Sequence, residues 1–328
     1  MNKKSYTHED YMFKRIESAI LGFVVGDALG VPAEFMSRSR LAADPISDMR
    51  GGGVHGQKAG TWSDDTSMTL CMMESLTEKG IDYGDQMDRF SDWLWKAKYT
   101  AHDEVFDVGG TTKSAIFSYA KGASPLECGE TADNACGNGS LMRILPLTLY
   151  LAVRNHSCRF DEKIANAVHS ASMCTHAHRR CQMACGIYSS VVLEEFLCGR
   201  KEDTVKLGVF SALRYYKDLP EFSDVYNDFT SLETIDDWSE EDISGSGYVL
   251  HTLQAALWCF QTTSGYAECV LKAVNLGDDT DTTAAVAGGL AGLWYGSNTI
   301  PVSWINVLAK QDEIKKRANR FAYACLEQ

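Results

Sequence analysis

Apolar residues recur at helical spacing along most of the chain. Phe13, Ile16, Ile20 and Phe23 mark one face of a first helix, since intervals of three and four residues line one side of a 3.6-residue turn. The same periodicity predicts helices over about 66–79, 84–97, 111–121, 141–153, 161–171, 178–197, 203–216, 248–260, 265–273 and 282–295. Few segments alternate with the period of two that marks a half-buried strand. Residues 1–11 are polar and read as a loose arm, residues 41–62 as a mobile loop, and the Asp/Glu/Ser-rich stretch 217–247 as an exposed excursion. No Pro/Gly/Ser linker divides the chain. The predicted fold is all-α: a compact single-domain orthogonal helical globule over 12–328 behind the arm.

Glycines interrupt the pattern in informative places. Gly22, Gly26 and Gly30 share one face of the first helix. Each costs helix stability, so a row of them predicts close approach to another helix or a ligand. Gly51-Gly52-Gly53-Val54-His55-Gly56 matches the letters of a dinucleotide fingerprint. No strand precedes it and no helix follows directly, so it is read as a plain loop.

Composition then excludes several classes. The 328 residues hold 31 Lys+Arg against 44 Asp+Glu, a formal net charge of -13. No basic stripe stands out, which argues against a nucleic-acid partner, because phosphate contacts need clustered cations. The most apolar stretch, Ala284 to Tyr295, is too short to span a bilayer and contains three glycines, so no membrane partner is expected. Eleven cysteines at irregular spacing, with no Cys-x-x-Cys and no signal-peptide pattern, point to reduced thiols and a cytoplasmic location. Cys174, His176, His178 and Cys181 are too tightly spaced for a structural zinc site.

Two acidic clusters carry the candidate chemistry. Trp62-Ser63-Asp64-Asp65-Thr66 and Gly277-Asp278-Asp279-Thr280-Asp281-Thr282-Thr283 each run into an apolar helical pattern. Helix capping explains one acid at such a place. Crowded carboxylates repel one another unless a cation offsets them. Asp64, Asp65, Asp279 and Asp281 would balance two divalent ions, with Ser63 and Thr282 adding neutral oxygens, the ligand types hard cations take. If the clusters share one site, segments about 215 residues apart close the chain on itself.

At these residues the sequence resembles the ADP-ribosylglycohydrolase family. The matching pieces are Gly26-Asp27-Ala28-Leu29-Gly30-Val31-Pro32-Ala33-Glu34, Trp62–Thr66, Asp107-Val108-Gly109-Gly110-Thr111-Thr112, Gly137-Asn138-Gly139-Ser140-Leu141-Met142-Arg143, Thr175-His176-Ala177-His178 and Gly277–Thr282, in the family's order over roughly 13–300. The resemblance implies a helical fold with a dinuclear Mg²⁺ or Mn²⁺ centre. It implies Ser63, Asp64, Asp65, Asp279, Asp281 and Thr282 as metal ligands, and hydrolysis of the bond joining ADP-ribose to a protein side chain, most simply arginine. Glu34 and Asp107 are the candidate proton-handling carboxylates, unranked between themselves. Asp107 has a bland alternative as a cap on the 111–121 helix. Asp27, Gly137, Asn138, Gly139, Ser140, Met142 and His176 are candidates for the substrate side. The backbone where 137–140 opens a helix is expected to suit a phosphate. The implied partner is an ADP-ribosylated protein. For some members the resemblance also implies protection against an ADP-ribosyltransferase toxin; apart from the resemblance, the polar arm 1–11 could then occlude a partner's cleft as well. A dinuclear-metal phosphohydrolase and an inactive ADP-ribose-binding or structural member are the alternatives.

Overall fold

The computed structural model describes residues 7–155 and 159–327. Thr7 opens the first helix, His8–Gly30, with a reciprocal cap. Its hydroxyl accepts the Asp10 N–H at 3.1 Å, and the Asp10 carboxylate accepts the Thr7 N–H at 3.0 Å. The segment read as an arm is therefore helical from His8 onward, because the cap satisfies N–H groups that a helix start leaves free. Residues 1–6, where the rest of the arm falls, lie outside the described residues.

Helices and 3-10 turns build the molecule, and no strand occurs among the described residues. The all-α, single-domain reading holds. By length and composition the first helix would cross a bilayer, yet nearly all of its apolar window is buried inside the protein. Ile16, Ile20, Phe23 and Val24 are among its buried residues, each worth about 1.5–3 kcal/mol on leaving water.

What buries it most closely is the second apolar helix, Thr280–Tyr295. A Cβ on Gly26 would collide with the Ala284 carbonyl, and one on Gly30 with the Asp281 backbone. A Cβ on Gly22 would meet Gly288. The glycine row is thus a seam of backbone against backbone, and it carries Asp27 and Glu34 to the start of the helix bearing Asp281. Thr280 donates its hydroxyl to the Gly30 carbonyl at 2.8 Å. Just beyond, the Phe35 N–H donates to the Asp278 carbonyl at 2.7 Å and the Asp278 N–H to the Met36 carbonyl at 2.8 Å.

Three expectations need correction. The 217–247 stretch is not a free excursion: Phe222, Val225, Phe229, Leu232 and Ile235 are buried and fasten short helical turns to the core. The helix expected from 141 begins at Leu145, with Pro146 in its first turn, and residues 139–143 form turns. A C-terminal helix, Gln311–Leu326, was not expected. The turn before it locks the approach to Ser63, since the Ala309 N–H donates to the Gly60 carbonyl at 2.9 Å and the Trp62 indole N–H to the Ala309 carbonyl at 3.0 Å.

The seam makes a direct prediction. Gly26→Ala should cost about 1–3 kcal/mol of folding stability, as overpacking does. Gly265→Ala, where an added Cβ meets nothing within 4 Å, should be nearly neutral. Urea unfolding of both variants checks this, and equal midpoints would refute the seam.

Candidate active site

The start of helix Asp64–Lys79 is held by an acid from elsewhere. Asp27, fully buried, accepts the Ser63 N–H at 3.0 Å and the Thr66 N–H at 3.0 Å, and also takes the Thr66 hydroxyl. Ser63 caps the helix by accepting the Asp65 N–H at 3.3 Å. Asp27 and Ser63 therefore do the capping, which leaves Asp64 and Asp65 free for other work. Burial raises the Asp27 carboxyl to about 6 against the pull of its hydrogen bonds. Asp27 does not line the pocket. Its hydrogen bonds go to Ser63 and Thr66 at the start of that helix, and not into the pocket where the substrate side was expected.

Asp65 meets the second cluster directly. Its Oδ2 accepts the hydroxyls of Ser63 and Thr282, each at 3.2 Å. Asp279 stands at the N-cap of helix Thr280–Tyr295 but makes no side-chain cap. Its Oδ2 instead accepts the Asn138 amide at 2.8 Å. Asp281 Oδ1 accepts the Thr282 N–H at 3.0 Å. Asp65 Oδ1, Asp279 Oδ1 and Asp281 Oδ2 are buried with no hydrogen-bond partner. Burial first, and then neighbouring carboxylates, hold the Asp64, Asp65 and Asp281 carboxyls well above the usual range. Three orphaned oxygens beside two hydroxyls form a donor set that hard cations fit, and an unpaired buried anion is otherwise costly.

Glu34 and Asp107 stand beside this cluster, with carboxylate oxygens within 4.8 Å of each other. Glu34 leaves the end of the 3-10 turn Val31–Ala33. Burial, then Asp107, Asp279 and Asp65, push its carboxyl up to about 10. Asp107 sits in left-handed backbone at φ 53°. It caps nothing: the helix it precedes, Gly110–Ala120, has Gly109 at its N-cap and no side-chain cap. His55 completes the group. Its Nε2 lies 2.6 Å from Glu34 Oε2 and 4.0 Å from Asp107 Oδ1. The three side chains bring ligand atoms within 4.8 Å of one another, so a cation could also sit among them.

The pocket is lined by the acids Glu34, Asp64, Asp107 and Asp279 with Phe35 and Thr282, and by Gly109–Thr112, Gly137–Gly139, Met142, His176 and Gly247. No lysine or arginine lines it. An anionic ligand must therefore meet backbone N–H groups and cations. The uncapped first turn of helix Gly110–Ala120 faces the pocket, and such a turn suits a phosphate. No helix opens at 137–140, so the helix start expected there is absent, although Gly137, Asn138 and Gly139 line the pocket. Ser140 is buried and turned away, accepting the Ser172 hydroxyl at 2.8 Å. Asn138 also donates to Thr252 Oγ1 at 2.9 Å. Burial lowers His176 to about 3, so its ring is neutral. Thr175 Oγ1 lies 2.8 Å from its Nδ1. Cys174 and Cys181 point to separate carbonyls and do not join the two histidines.

Sequence reasoning missed His55 and Phe35. Nothing in the order of residues ties a loop histidine to a glutamate 21 positions earlier. A faint signal existed at Phe35, a large apolar side chain directly after the motif acid, and the structure leaves it exposed at φ 60°.

The pocket thus gathers Glu34 and Asp107, both raised above the usual carboxylate range first by burial, next to three unpartnered carboxylate oxygens. Residues 8–328 match the family model described as ADP-ribosylglycohydrolase. The chain is 31% identical to the ADP-ribosylarginine hydrolase Tri1 of Serratia proteamaculans, over 98% of this chain and 82% of that one. It is 29% identical to the ADP-ribosyl-[dinitrogen reductase] glycohydrolase of Rhodospirillum rubrum, over 90% of each. A solved ADP-ribosylglycohydrolase-related protein complex superposes with a TM-score of 0.76 at 30% identity, covering 96% of this chain and 99% of that chain. The chain belongs to the ADP-ribosylglycohydrolase family and is a hydrolase of the ADP-ribosyl-acceptor class.

The electrostatics fix a pH dependence. A carboxyl raised in the fold binds its proton more tightly there than in the unfolded chain, where its pKa is about 4. That gain is full below about pH 4 and is lost as pH rises toward the folded value. Without divalent ions the melting temperature should fall as pH climbs from about 5 to 9. Asp281→Asn should flatten that slope and erase stabilisation by added Mg²⁺ or Mn²⁺. A scan showing the same slope and the same ion response in wild type and variant would place the strain elsewhere.

Proposed function

We propose that this chain removes ADP-ribose from modified arginine side chains, using a centre charged with two divalent cations, Mg²⁺ or Mn²⁺. The observation that carries this is the convergence of three unpartnered carboxylate oxygens from two distant segments beside the neighbouring carboxyls of Glu34 and Asp107. Ser63, Asp64, Asp65, Asp279, Asp281 and Thr282 would hold the ions. Bound there, the ions would offset the buried negative charge and polarise ribose hydroxyls and water.

The chain's own residues supply the rest. Cleavage at the anomeric carbon forms a bond from water oxygen to that carbon and breaks its bond to the guanidine nitrogen. Glu34 and Asp107 are the groups placed to accept the proton that water loses and to return one to the leaving nitrogen. Asp27 keeps the start of helix Asp64–Lys79 in place. The first turn of Gly110–Ala120 meets the diphosphate, while neutral His176 and Met142 line the same pocket. The choice of arginine rests on the name of the Serratia relative and on the acidity of the pocket, which favours a guanidinium. A toxin that ADP-ribosylates arginine is one source of such a mark, and its modified target belongs among the substrates tried.

Incubating the protein with ADP-ribosylated arginine and serine substrates, with and without EDTA, tests the reading. Free ADP-ribose should appear from the arginine substrate, and EDTA should stop it. Asp64→Ala and Asp281→Ala should each lower turnover about 10²-fold or more while the fold persists. Release of a nucleoside monophosphate or inorganic phosphate would instead favour the phosphohydrolase reading.

A further inference from the structure

The loop 51–56 delivers His55, the group that touches Glu34. We propose that His55 is a positioning residue: its Nε2 holds the Glu34 carboxyl in the orientation needed to carry the proton. The proposal rests on the hydrolytic reading above.

Glu34 directly follows the 3-10 turn Val31–Ala33, and no lysine or arginine lines its pocket. His55 reaches it at 2.6 Å, a short hydrogen bond that accommodates a proton from either partner. The imidazole is itself fixed. Phe106 packs on it at 5.1 Å between ring centroids, and Phe35 stands 6.2 Å away on the other flank. The loop that carries it is closed, with the Gly52 N–H donating to the Gln57 carbonyl at 2.7 Å and the Gly56 N–H to the Gly53 carbonyl at 3.2 Å.

The anchor of the loop ties the two residues together. Gly53, at φ 71°, lies against Pro32, where a Cβ would stand 2.5 Å from the carbonyl oxygen. Pro32 belongs to the same short turn that presents Glu34. The contact at Gly53 therefore sets how far His55 stands from Glu34. This gives the glycine run a purpose unrelated to nucleotide binding.

The test uses the full chain loaded with Mn²⁺. Turnover of ADP-ribosylarginine and the Kd for ADP-ribose are measured for His55→Ala, His55→Gln and Gly53→Ala. The Ala variant should lose about 10–100-fold in kcat, the scale of misplaced catalytic groups, with Kd for ADP-ribose unchanged. His55→Gln keeps an N–H donor and should recover much of the loss. Gly53→Ala, with the ring intact but the loop lifted, should lose activity in the same way. An unchanged kcat in His55→Ala overturns the proposal. A kcat loss matched by weaker ADP-ribose binding also overturns it, since the ring would then hold ligand or cation. A double-mutant cycle of His55→Ala with Glu34→Gln, read on urea midpoints of the ion-free protein, decides the contact independently of substrate. Coupled midpoints support it and additive ones contradict it, even if the wild type proves inactive on arginine and the hydrolytic reading fails.

Discussion

Backbone contact between helices His8–Gly30 and Thr280–Tyr295 is the constraint on which the site depends. Side chains at Gly22, Gly26 or Gly30 would hold the two helices apart. With none there, elements about 250 residues apart meet at their ends, and the acids at those ends are forced together. The fold thus creates an electrostatic problem in order to make a site. Like charges crowd in a buried place where water cannot screen them, and protonation or a cation must resolve it.

The roles of the acids differ by what each one touches. Asp27 is saturated with hydrogen bonds from Ser63 and Thr66, so its charge is spent on holding a helix start. Asp65, Asp279 and Asp281 each keep one oxygen without a partner. Glu34 and Asp107 lean on each other and on His55. These are three chemical situations within one acidic patch. The rest of the pocket lining offers backbone N–H groups and a neutral histidine but no lysine or arginine.

Much of this was legible in the order of residues. The glycine row announced the close helix pair, and the doubled carboxylates announced a need beyond capping. What stayed hidden depends on contacts across the chain. The helix Gln311–Leu326 is dense in charge, yet Ile314, Ala318, Phe321 and Cys325 bury one stripe of it; the period was present beneath the lysines and arginines. The segment 217–247 misled in the same manner, because its acids outnumber the apolar anchors at Phe222, Phe229 and Ile235. The loop at 137–143 was taken as a helix start, though Pro146 favours a later first turn. His55 had no local signal, since its meaning comes from Gly53 resting on Pro32.

The most direct measurement is anomalous diffraction from crystals grown in Mn²⁺. Two strong peaks, both contacted by oxygens of Asp65 and Asp281 and their neighbouring acids, are the result predicted. Density showing these carboxylates paired only with one another or with water, and manganese bound elsewhere or not at all, would contradict the account.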